Sequence, residues 1–351
     1  MTNFKVEVFD TITDIDKNQW NSLITKSRLG SIYHRYEWSK AIEDGMDVEP
    51  KHIVVLKDNN PVGILPNFIY KHKKTPFKEA LSIFPGYGGP IISPKKESEI
   101  LDLMFENLSK FFGITLISHH IRTSDPRFIR YDQYFNKKGY QIGLDWCRFK
   151  IDLTRNEDYI KSKIYKKRRK NLVQALKREY STIDEEINET NLKEFYKSYE
   201  KVMEKVARRE RAYKTPLSFL ICLSKEMPER VRIFELFLRD EKIGQFLYLL
   251  NKEQSSFIAF LAGADESKYE HYPNIIHHWT GIKWGIEKGY KEYDLGCTRS
   301  NFNDGVYSFK EEFGAEVIPT LTWIKHSHFR KNFVFNIGKY LYSRFMKEQF
   351  F

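Results

Sequence analysis

The fold is decided by two segments, Gly289-Tyr-Lys-Glu-Tyr-Asp-Leu-Gly296 and Gly305-Val-Tyr-Ser-Phe-Lys-Glu-Glu-Phe-Gly314, which lie within residues 273–324. Ahead of them, Pro273 begins a run whose apolar residues recur at helical spacing, and this predicts a helix with one buried face. Gly289 ends that helix, and residues 290–295 read as a short strand. A polar loop over residues 297–305, a second helix and another strand follow. The order predicts a ligand site beside a sheet.

These two segments resemble the signature of the FemAB-like aminoacyltransferases. Members of that family contain tandem GNAT-type acyltransferase domains and extend peptidoglycan precursor peptides with amino acids taken from aminoacyl-tRNA. The resemblance implies a mixed α/β fold with two tandem GNAT-like domains. Relatives from polysaccharide gene clusters share the pattern and resemble plain N-acyltransferases, so it indicates the fold more firmly than the substrate.

The length of 351 residues favours two domains, because a single domain typically has about 100 to 200 residues. Strands and helices predicted up to residue 153 follow the order of one GNAT-like α/β unit. We therefore predict an N-terminal domain over residues 1–153, a C-terminal domain over 154–325 and a basic, aromatic tail over 326–351. Packing onto the second domain and interfacial binding are both open for the tail. No internal sequence repeat is evident, so the tandem arrangement depends on element order and the resemblance.

The composition favours an anionic partner. A formal net charge of +11 suits tRNA, a nucleotide-linked sugar or an anionic membrane surface, although an inert basic surface is the alternative. The three cysteines are far apart and form neither a disulfide framework nor a metal half-site, which predicts a reducing cytoplasm. No signal-peptide core or apolar run long enough to span a membrane is present in the sequence. We expect a cytoplasmic protein, with the inner face of the membrane as a second expected location.

The densest basic run is Lys161-Ser-Lys-Ile-Tyr-Lys-Lys-Arg-Arg-Lys170, which continues into a helix with an apolar seam. Like charges crowded on one rigid element are relieved by an anion. We therefore predict that this helix binds phosphate or nucleic acid through Lys166, Lys167, Arg168 and Arg169. An interdomain helix with a solvated basic surface is the alternative.

The chemistry indicated is direct transfer. The sequence has no Gly-x-Ser-x-Gly motif and no Walker A or Rossmann glycine pattern. The histidine pairs at residues 119–120 and 277–278 lack companion carboxylates, so no metal is expected. Aminolysis passes through an oxyanion and needs a fixed donor or cation at that oxygen, together with a proton acceptor. We assign Lys310 as the cation and Asp294 as a group that orients the amine. A surface helix lysine and a carboxylate that caps the following loop are the respective alternatives.

Further site residues come from the loop after residue 296 and from the resemblance. Phe309-Lys310 matches the Phe-Lys pair that contains the family's functional lysine, and Arg208 and Arg211 resemble family positions near the phosphates of the acceptor. The predicted substrate-binding residues are Arg299, Tyr307, Phe309, Arg208, Arg211, Lys40 and Tyr87. Lys40 ends an aromatic stretch similar to one in the family, and Tyr87 lies in the Gly-rich turn at residues 85–90. A tight connection between strands is the alternative for that turn.

The predicted acyl donor follows from a difference between this sequence and the acetyl-CoA-dependent GNAT enzymes. Acetyl-CoA-dependent GNAT enzymes resemble one another in a Gly-rich turn ahead of a helix, where backbone amides hold a pyrophosphate. Here the corresponding connection, residues 261–273, has one glycine and three acidic residues. This favours aminoacyl-tRNA as donor, with acyl-CoA as the alternative and no cofactor. The expected acceptor is a nucleotide- or lipid-linked cell-envelope precursor, with peripheral contact to an anionic membrane. A non-catalytic module that binds tRNA or membrane is the third hypothesis.

Overall fold

The structure is a computed structural model that describes residues 4–71, 76–110, 116–210, 213–264 and 266–327. The chain divides into two compact units, the first formed by residues up to 144 together with those from 320 onward, and the second by residues 145–319. The division falls within one twelve-residue strand, Gln141–Asp152, and so precedes the expected boundary at residue 153. The predicted tail lies outside the described residues from position 328 onward. No helix within the described ranges is long and apolar enough to span a bilayer.

The first unit is a mixed α/β structure. Its elements are β1 (Phe4–Phe9), α1 (Lys17–Lys26), α2 (Tyr36–Gly45), β2 (Glu49–Pro50), β3 (His52–Lys57), β4 (Asn60–Leu65), β5 (Phe68–Lys71), β6 (Lys78–Leu81), β7 (Ile91–Ile92), α3 (Glu97–Ser109), β8 (Leu116–Thr123) and α4 (Asp132–Lys137). Strands β1, β3, β4 and β7 form one antiparallel sheet. In the second set, β5 pairs with β2 and β6 in antiparallel fashion, and β6 pairs with β8 in parallel.

The second unit follows β9 (Gln141–Asp152), which begins before the division. Its elements are α5 (Glu157–Lys163), α6 (Lys166–Ala175), β10 (Tyr180–Glu186), α7 (Glu189–Glu210), α8 (Leu217–Glu226), β11 (Val231–Leu238), β12 (Glu241–Asn251), β13 (Ser256–Ala264), α9 (Pro273–Glu287), β14 (Glu292–Arg299) and α10 (Gly305–Glu312). β15 (Glu316–His326) leads out of the unit and pairs with β8 through its later residues. Strands β10 to β13 are antiparallel neighbours, β13 pairs with β14 in parallel, and β14 pairs antiparallel with β9. The predicted mixed α/β fold is confirmed.

Helix α9 buries one face on this sheet as the sequence predicts. Ile275, Trp279 and Ile282 lie in the hydrophobic core of the second unit. Pro273 occupies the first turn, where its missing N–H has no partner to lose. Gly289 ends the helix with φ +75°, a conformation that glycine adopts at little cost. The helix therefore brings the following strand, β14, back along the sheet.

Two irregularities mark one place in this sheet. On β13, the register with β12 shifts between the pairs Leu247↔Leu261 and Tyr248↔Ala259, so one extra residue bulges. On β14, the register with β9 shifts between Asp294 and Cys297. Bulges of this kind occur often next to active sites, where they redirect a strand. The polar loop predicted from Gly296 therefore begins later, because β14 continues through its bulge to residue 299.

The basic stretch also differs from its prediction. The run that begins at Lys161 does not continue into a single helix, because α5 ends at Lys163 and α6 begins at Lys166. Ile164 between them has extended backbone and is buried in the core. The burial of this side chain interrupts the helix and gives α6 its own amino terminus.

Candidate functional site

Lys310 is buried against β9 and β14, with 8% of its surface exposed. Its ammonium donates a hydrogen bond to the carbonyl oxygen of Cys297, with 3.2 Å between Nζ and O. The same nitrogen lies 5.9 Å from the ring centroid of Phe149 on β9. An ammonium has three N–H donors, and the hydrogen bond to Cys297 uses one of them. Lys310 is therefore not the surface lysine of the alternative interpretation.

Burial sets the electrostatics of this lysine. It lowers the pKa of Lys310 from 10.5 to about 8, because an apolar surrounding disfavours the charged form. Repulsion from the Arg148 guanidinium lowers the pKa further, while neighbouring thiols oppose the shift. At neutral pH the group is still mainly an ammonium. Such a cation, held out of bulk water, is suited to stabilise negative charge that develops on a substrate oxygen.

Asp294 forms a buried ion pair with Arg148 of β9, and neither side chain reaches solvent appreciably. The pair uses Oδ2, and Oδ1 accepts a hydrogen bond from the backbone N–H of Gly296 at 2.8 Å. Both carboxylate oxygens therefore have protein partners. The hydrogen bond from Gly296 matches the alternative interpretation, in which the carboxylate caps the following loop, and a contact between Asp294 and a substrate amine stays a prediction.

Arg148 is a site residue that sequence reasoning misses. Its neighbours Cys147, Phe149 and Ile151 are buried apolar residues at every second position, and this alternation assigns the residues between them to a polar face. The structure buries Arg148 on that face, because Asp294 lies on the next strand. Only the cross-strand pairing reveals the partner, and it is not encoded in local sequence.

Gly296 allows the close approach of three elements. Its φ of +79° lies in the left-handed region, and a Cβ there would stand 2.8 Å from the carbonyl oxygen of Ala259 and 3.6 Å from Nζ of Lys310. A side chain would therefore push β13 away from β14 and crowd the ammonium. Within the described ranges, the parallel pairing of these strands ends at Ile258 and Asp294. Beyond these two residues β13 and β14 no longer pair, and the ammonium of Lys310 lies there next to Gly296.

The predicted residues around Lys310 lie in the second unit. The exposed Arg299 holds its guanidinium 5.7 Å from the ring centroid of Trp146. Tyr307 contacts Phe149 edge to face at 5.1 Å, and burial raises the pKa of its hydroxyl. Phe309 lies on the same helix, α10, as Tyr307 and Lys310. These residues therefore lie on the end of β14 and on α10, the helix that carries Lys310. Their contact with substrate stays a prediction.

The basic helix α6 lies beside α10, and its four predicted cations divide into two groups. Arg168 pairs with Glu312, with 2.6 Å between Nη2 and Oε2, and Arg169 donates to the carbonyl oxygen of Ser162 at 3.0 Å. Lys166 and Lys167 are exposed. The two lysines are therefore available to an anion, whereas the arginines are engaged in holding the protein together.

The remaining predicted residues lie elsewhere. Arg208 is on α7, but its side chain is outside the described part of the structure, as is the whole of Arg211. Lys40 and Tyr87 belong to the first unit. Lys40 pairs with Asp44 one helical turn away, and the buried Tyr87 lies under the guanidinium of Arg122, 5.3 Å from its ring centroid. Their roles stay predictions.

The Gly-rich turn that contains Tyr87 is tightly packed. A Cβ on Gly86 would lie 2.6 Å from the ring of Tyr33. The N–H of Gly88 donates to the carbonyl oxygen of Arg122 at 2.7 Å, and that of Gly89 donates to the hydroxyl of Ser82 at 2.8 Å. These contacts match the tight connection that was the alternative interpretation.

The paired histidines of α9 point to different tyrosines. His277 shares a hydrogen bond with Tyr248, and His278 with Tyr293, each at 2.7 Å between Nδ1 and the hydroxyl oxygen. Burial lowers the pKa of both imidazoles, that of His278 to about 3, so both are neutral at pH 7. Over the described ranges, no group of three or more His, Cys, Asp or Glu side chains is arranged to hold a metal ion.

One protein-family model matches part of the second unit. Residues 161–311 match the family model described as an acetyltransferase (GNAT) domain. The matched segment contains α6, the diverging strands β13 and β14, and Lys310. No curated protein sequence gives a significant match.

Several solved structures share the fold. FemX superposes with a TM-score of 0.66 at 13% identity, covering 88% of this chain and 96% of that chain. L-PGS from Bacillus licheniformis gives a TM-score of 0.56 at 11% identity, with 92% and 94% covered. A tandem GNAT protein from the clavulanic acid biosynthesis pathway gives 0.54 at 9% identity, with 93% and 99% covered. The resemblance found in the sequence is thereby confirmed, and the chain has a FemX-like GNAT acyltransferase fold.

Proposed function

We propose that this protein transfers an aminoacyl group from aminoacyl-tRNA to an amine on a cell-envelope precursor. The observation that carries the proposal is the buried ammonium of Lys310, which lies where β13 and β14 separate and has a carbonyl oxygen as its described partner. The fold shared with FemX and L-PGS supports an acyl transfer, and the exposed lysines at the start of α6 suit a polyanionic donor.

The reaction is an aminolysis of an ester. The acceptor nitrogen attacks the ester carbonyl carbon, a C–N bond forms, and the carbonyl oxygen becomes an oxyanion. Lys310 stabilises that oxygen by donating an N–H hydrogen bond, as fixed donors do in an oxyanion hole. The C–O bond to the ribose then breaks, and the proton lost by the amine is balanced by protonation of the ribose oxygen. The products are an amide and a free tRNA hydroxyl.

In this proposal the surrounding residues position the lysine. Asp294 and Arg148 fix the turn at Gly296, and the turn presents the Cys297 carbonyl to Nζ. A partner oxygen that holds the ammonium in place before substrate binds lowers the cost of reorganisation in the transition state. The acceptor would be nucleotide- or lipid-linked, and the protein would act in the cytoplasm at or near the inner face of the membrane.

An acyl-CoA-dependent transfer to an amino sugar or amino acid is the second candidate. The match of residues 161–311 to an acetyltransferase domain favours it. The composition of the connection between β13 and α9 argues against it, because one glycine and three acidic residues are poorly suited to hold a pyrophosphate. The same Lys310 chemistry would then act on a thioester carbonyl.

The test is a transfer assay with two donors. Purified protein is incubated with mixed aminoacyl-tRNAs carrying labelled amino acids or, separately, with labelled acetyl-CoA, and with nucleotide-linked and lipid-linked peptidoglycan precursors as acceptors. Label that moves from tRNA to a precursor in an amide bond is the expected result. Transfer from acetyl-CoA alone would favour the second candidate. No transfer from either donor, with binding of tRNA retained, would favour a non-catalytic module.

A further inference from the structure

Phe302 is a solvent-exposed side chain in the hydrogen-bonded loop between β14 and α10. Its exposure is 77%, whereas the next most exposed large apolar side chain in the described part of the chain reaches 54%. The loop is fixed by its own hydrogen bonds, since the hydroxyl of Ser308 donates to the carbonyl oxygen of Phe302 at 3.1 Å, and the N–H of Asp304 donates to that of Asn301 at 2.9 Å. A loop bonded in this way presents the ring and does not bury it.

The surroundings of Phe302 suit an anionic ligand with a flat apolar group. Arg299 lies three residues earlier, exposed over the ring of Trp146. The one nearby carboxylate in the loop, Asp304, accepts hydrogen bonds from the N–H groups of Val306 and Tyr307 at 2.7 and 3.1 Å. Its charge is thus directed at the helix amino terminus. Exposed aromatic faces next to cations are the platforms on which unpaired nucleic-acid bases stack.

The platform lies close to the reacting group. Val306, in the first turn of α10, is 47% exposed, and Ser308, two residues before Lys310, donates its hydroxyl hydrogen bond to the carbonyl oxygen of Phe302. Gly305, the first residue of α10, is separated from Lys310 by about 8 Å along the helix axis at 1.5 Å per residue. Phe302 therefore lies beside the amino-terminal end of the helix that carries Lys310.

This distance distinguishes between the two donors. In an aminoacyl ester of tRNA, the base of the terminal nucleotide is attached to the same ribose that carries the ester. In an acyl-CoA, the pantetheine chain and a pyrophosphate separate the thioester from the adenine. A stacking ring at the amino-terminal end of α10 therefore suits the first arrangement, in which the base and the ester share one ribose, better than the second.

We propose that Phe302 is the stacking platform for the unpaired 3′-terminal adenosine of the aminoacyl-tRNA donor, with Arg299 contacting its phosphates. This inference rests on the proposed function, because it deepens the identity of the donor. It adds a binding role for a residue that no sequence motif marked. The ring gains burial on binding, and the free protein holds it in solvent at the cost of exposed apolar surface.

The test is a double-mutant cycle between Phe302 and the terminal nucleotide. The probes are an uncharged RNA minihelix with a single-stranded 3′ CCA end and the same minihelix without the terminal adenosine. For the wild-type protein, loss of the adenosine should weaken binding by about 5- to 150-fold, the usual range for one stacked base. Phe302→Ala should bind both probes equally. The inference is overturned if this variant discriminates between the probes as wild type does, or if wild type binds neither.

Further variants separate stacking from other roles. Phe302→Tyr keeps an aromatic face and should behave as wild type, whereas Phe302→Leu keeps apolar bulk without that face and should behave as Phe302→Ala. Ile183→Ala removes another exposed apolar side chain, 46% exposed on β10, and is the control expected to bind both probes normally. Unchanged melting temperatures would show that all four variants fold.

Two competing ligands are included as arms of the same test. If Phe302→Ala weakens binding of coenzyme A but not of the minihelix, the adenine belongs to a CoA donor and the inference is wrong. If it weakens binding to phosphatidylglycerol vesicles alone, the ring contacts a membrane and the inference is also wrong. Because these are binding measurements, their failure leaves the transfer assay intact as a separate test of the proposed function.

Discussion

The guanidinium of Arg168 lies over the ring of Phe309, 4.6 Å from the ring centroid. The same guanidinium pairs with Glu312 one turn further along α10. These contacts fix the basic helix α6 to the helix that carries Lys310. The basic helix and the candidate catalytic lysine are therefore joined by the contacts of Arg168, and phosphate binding by that residue stays a prediction.

The division of the cations in α6 can be tested by salt dependence. Lys166→Ala combined with Lys167→Ala should weaken minihelix binding and lower the slope of log affinity against log salt by about 1 to 2, because each phosphate contact contributes a slope of about 0.7 to 0.9. Lys283→Ala removes an exposed lysine on α9 and should leave the slope unchanged. Filter binding between 50 and 200 mM salt measures this. An affinity that changes neither with salt nor with the double substitution would show that α6 has only a structural role.

The buried pair of Arg148 and Asp294 should dominate the stability of the site. Asp294→Ala leaves a buried guanidinium without its partner, which typically costs about 3 to 5 kcal/mol. Replacing both residues, Arg148→Met with Asp294→Leu, should recover much of that loss because no buried charge remains. Urea unfolding measures both changes.

The control for this pair is an exposed ion pair of the same unit. Arg239→Ala removes the contact with Glu179, at 3.5 Å between exposed side chains, and the unfolding midpoint should hardly move. An Asp294→Ala variant as stable as this control would contradict the structural role assigned to Asp294.

Two glycines of the site offer a matched comparison. Gly296→Ala places a Cβ at φ +79° and 2.8 Å from the Ala259 carbonyl oxygen, so both unfolding stability and transfer rate should fall, the former by about 1 to 3 kcal/mol. Gly305→Ala meets nothing within 4 Å and should be neutral or slightly stabilising, because alanine restricts the unfolded chain. Thermal melts and initial rates measure both. Equal behaviour of the two variants would show that the turn tolerates a side chain.

Local patterns were sufficient to predict helix α9 of the second unit but not the site beside it. The face of α9 and its end at Gly289 follow from spacing and turn residues that act over a few positions. The match of Phe309-Lys310 to a family motif located the lysine, yet nothing local showed that its side chain is buried. The burial arises from β9 and β14, which are far apart in sequence and meet only in the folded sheet.

The dependence on contacts between distant strands also explains why the sequence did not show the partner of Asp294 or the end of β14. Asp294 reads as a polar residue at a strand end, and its real partner, Arg148, is 146 positions away by their sequence numbers. The bulge that carries β14 past Gly296 depends on the register with β9 and cannot be inferred from the glycine alone. Phe302 is the opposite case: in sequence it is one apolar residue within a polar loop, and only the structure shows that the fold leaves it in solvent.

The pH dependence of transfer separates two roles for Lys310. Since its pKa is about 8, the ammonium is present below that pH and lost above it. If the ammonium stabilises the oxyanion, the single-turnover rate of wild type relative to Lys310→Arg should fall as pH rises through about 8, because arginine stays charged at all accessible pH values. Taking the ratio cancels ester hydrolysis and titration of the acceptor. A ratio that rises through pH 8 would instead identify the neutral amine as a general base.

Stabilisation of the transition state by the buried Lys310 can be tested directly by substitution. Lys310→Met is the sharpest variant, because it keeps the length of the side chain where Lys310→Ala would leave a cavity in a buried position. The decisive measurement is its single-turnover rate with bound aminoacyl-tRNA and saturating acceptor. We predict a rate lower by about 10² to 10³, with the dissociation constant for the donor nearly unchanged. A folded Lys310→Met variant that transfers at the wild-type rate would contradict the account.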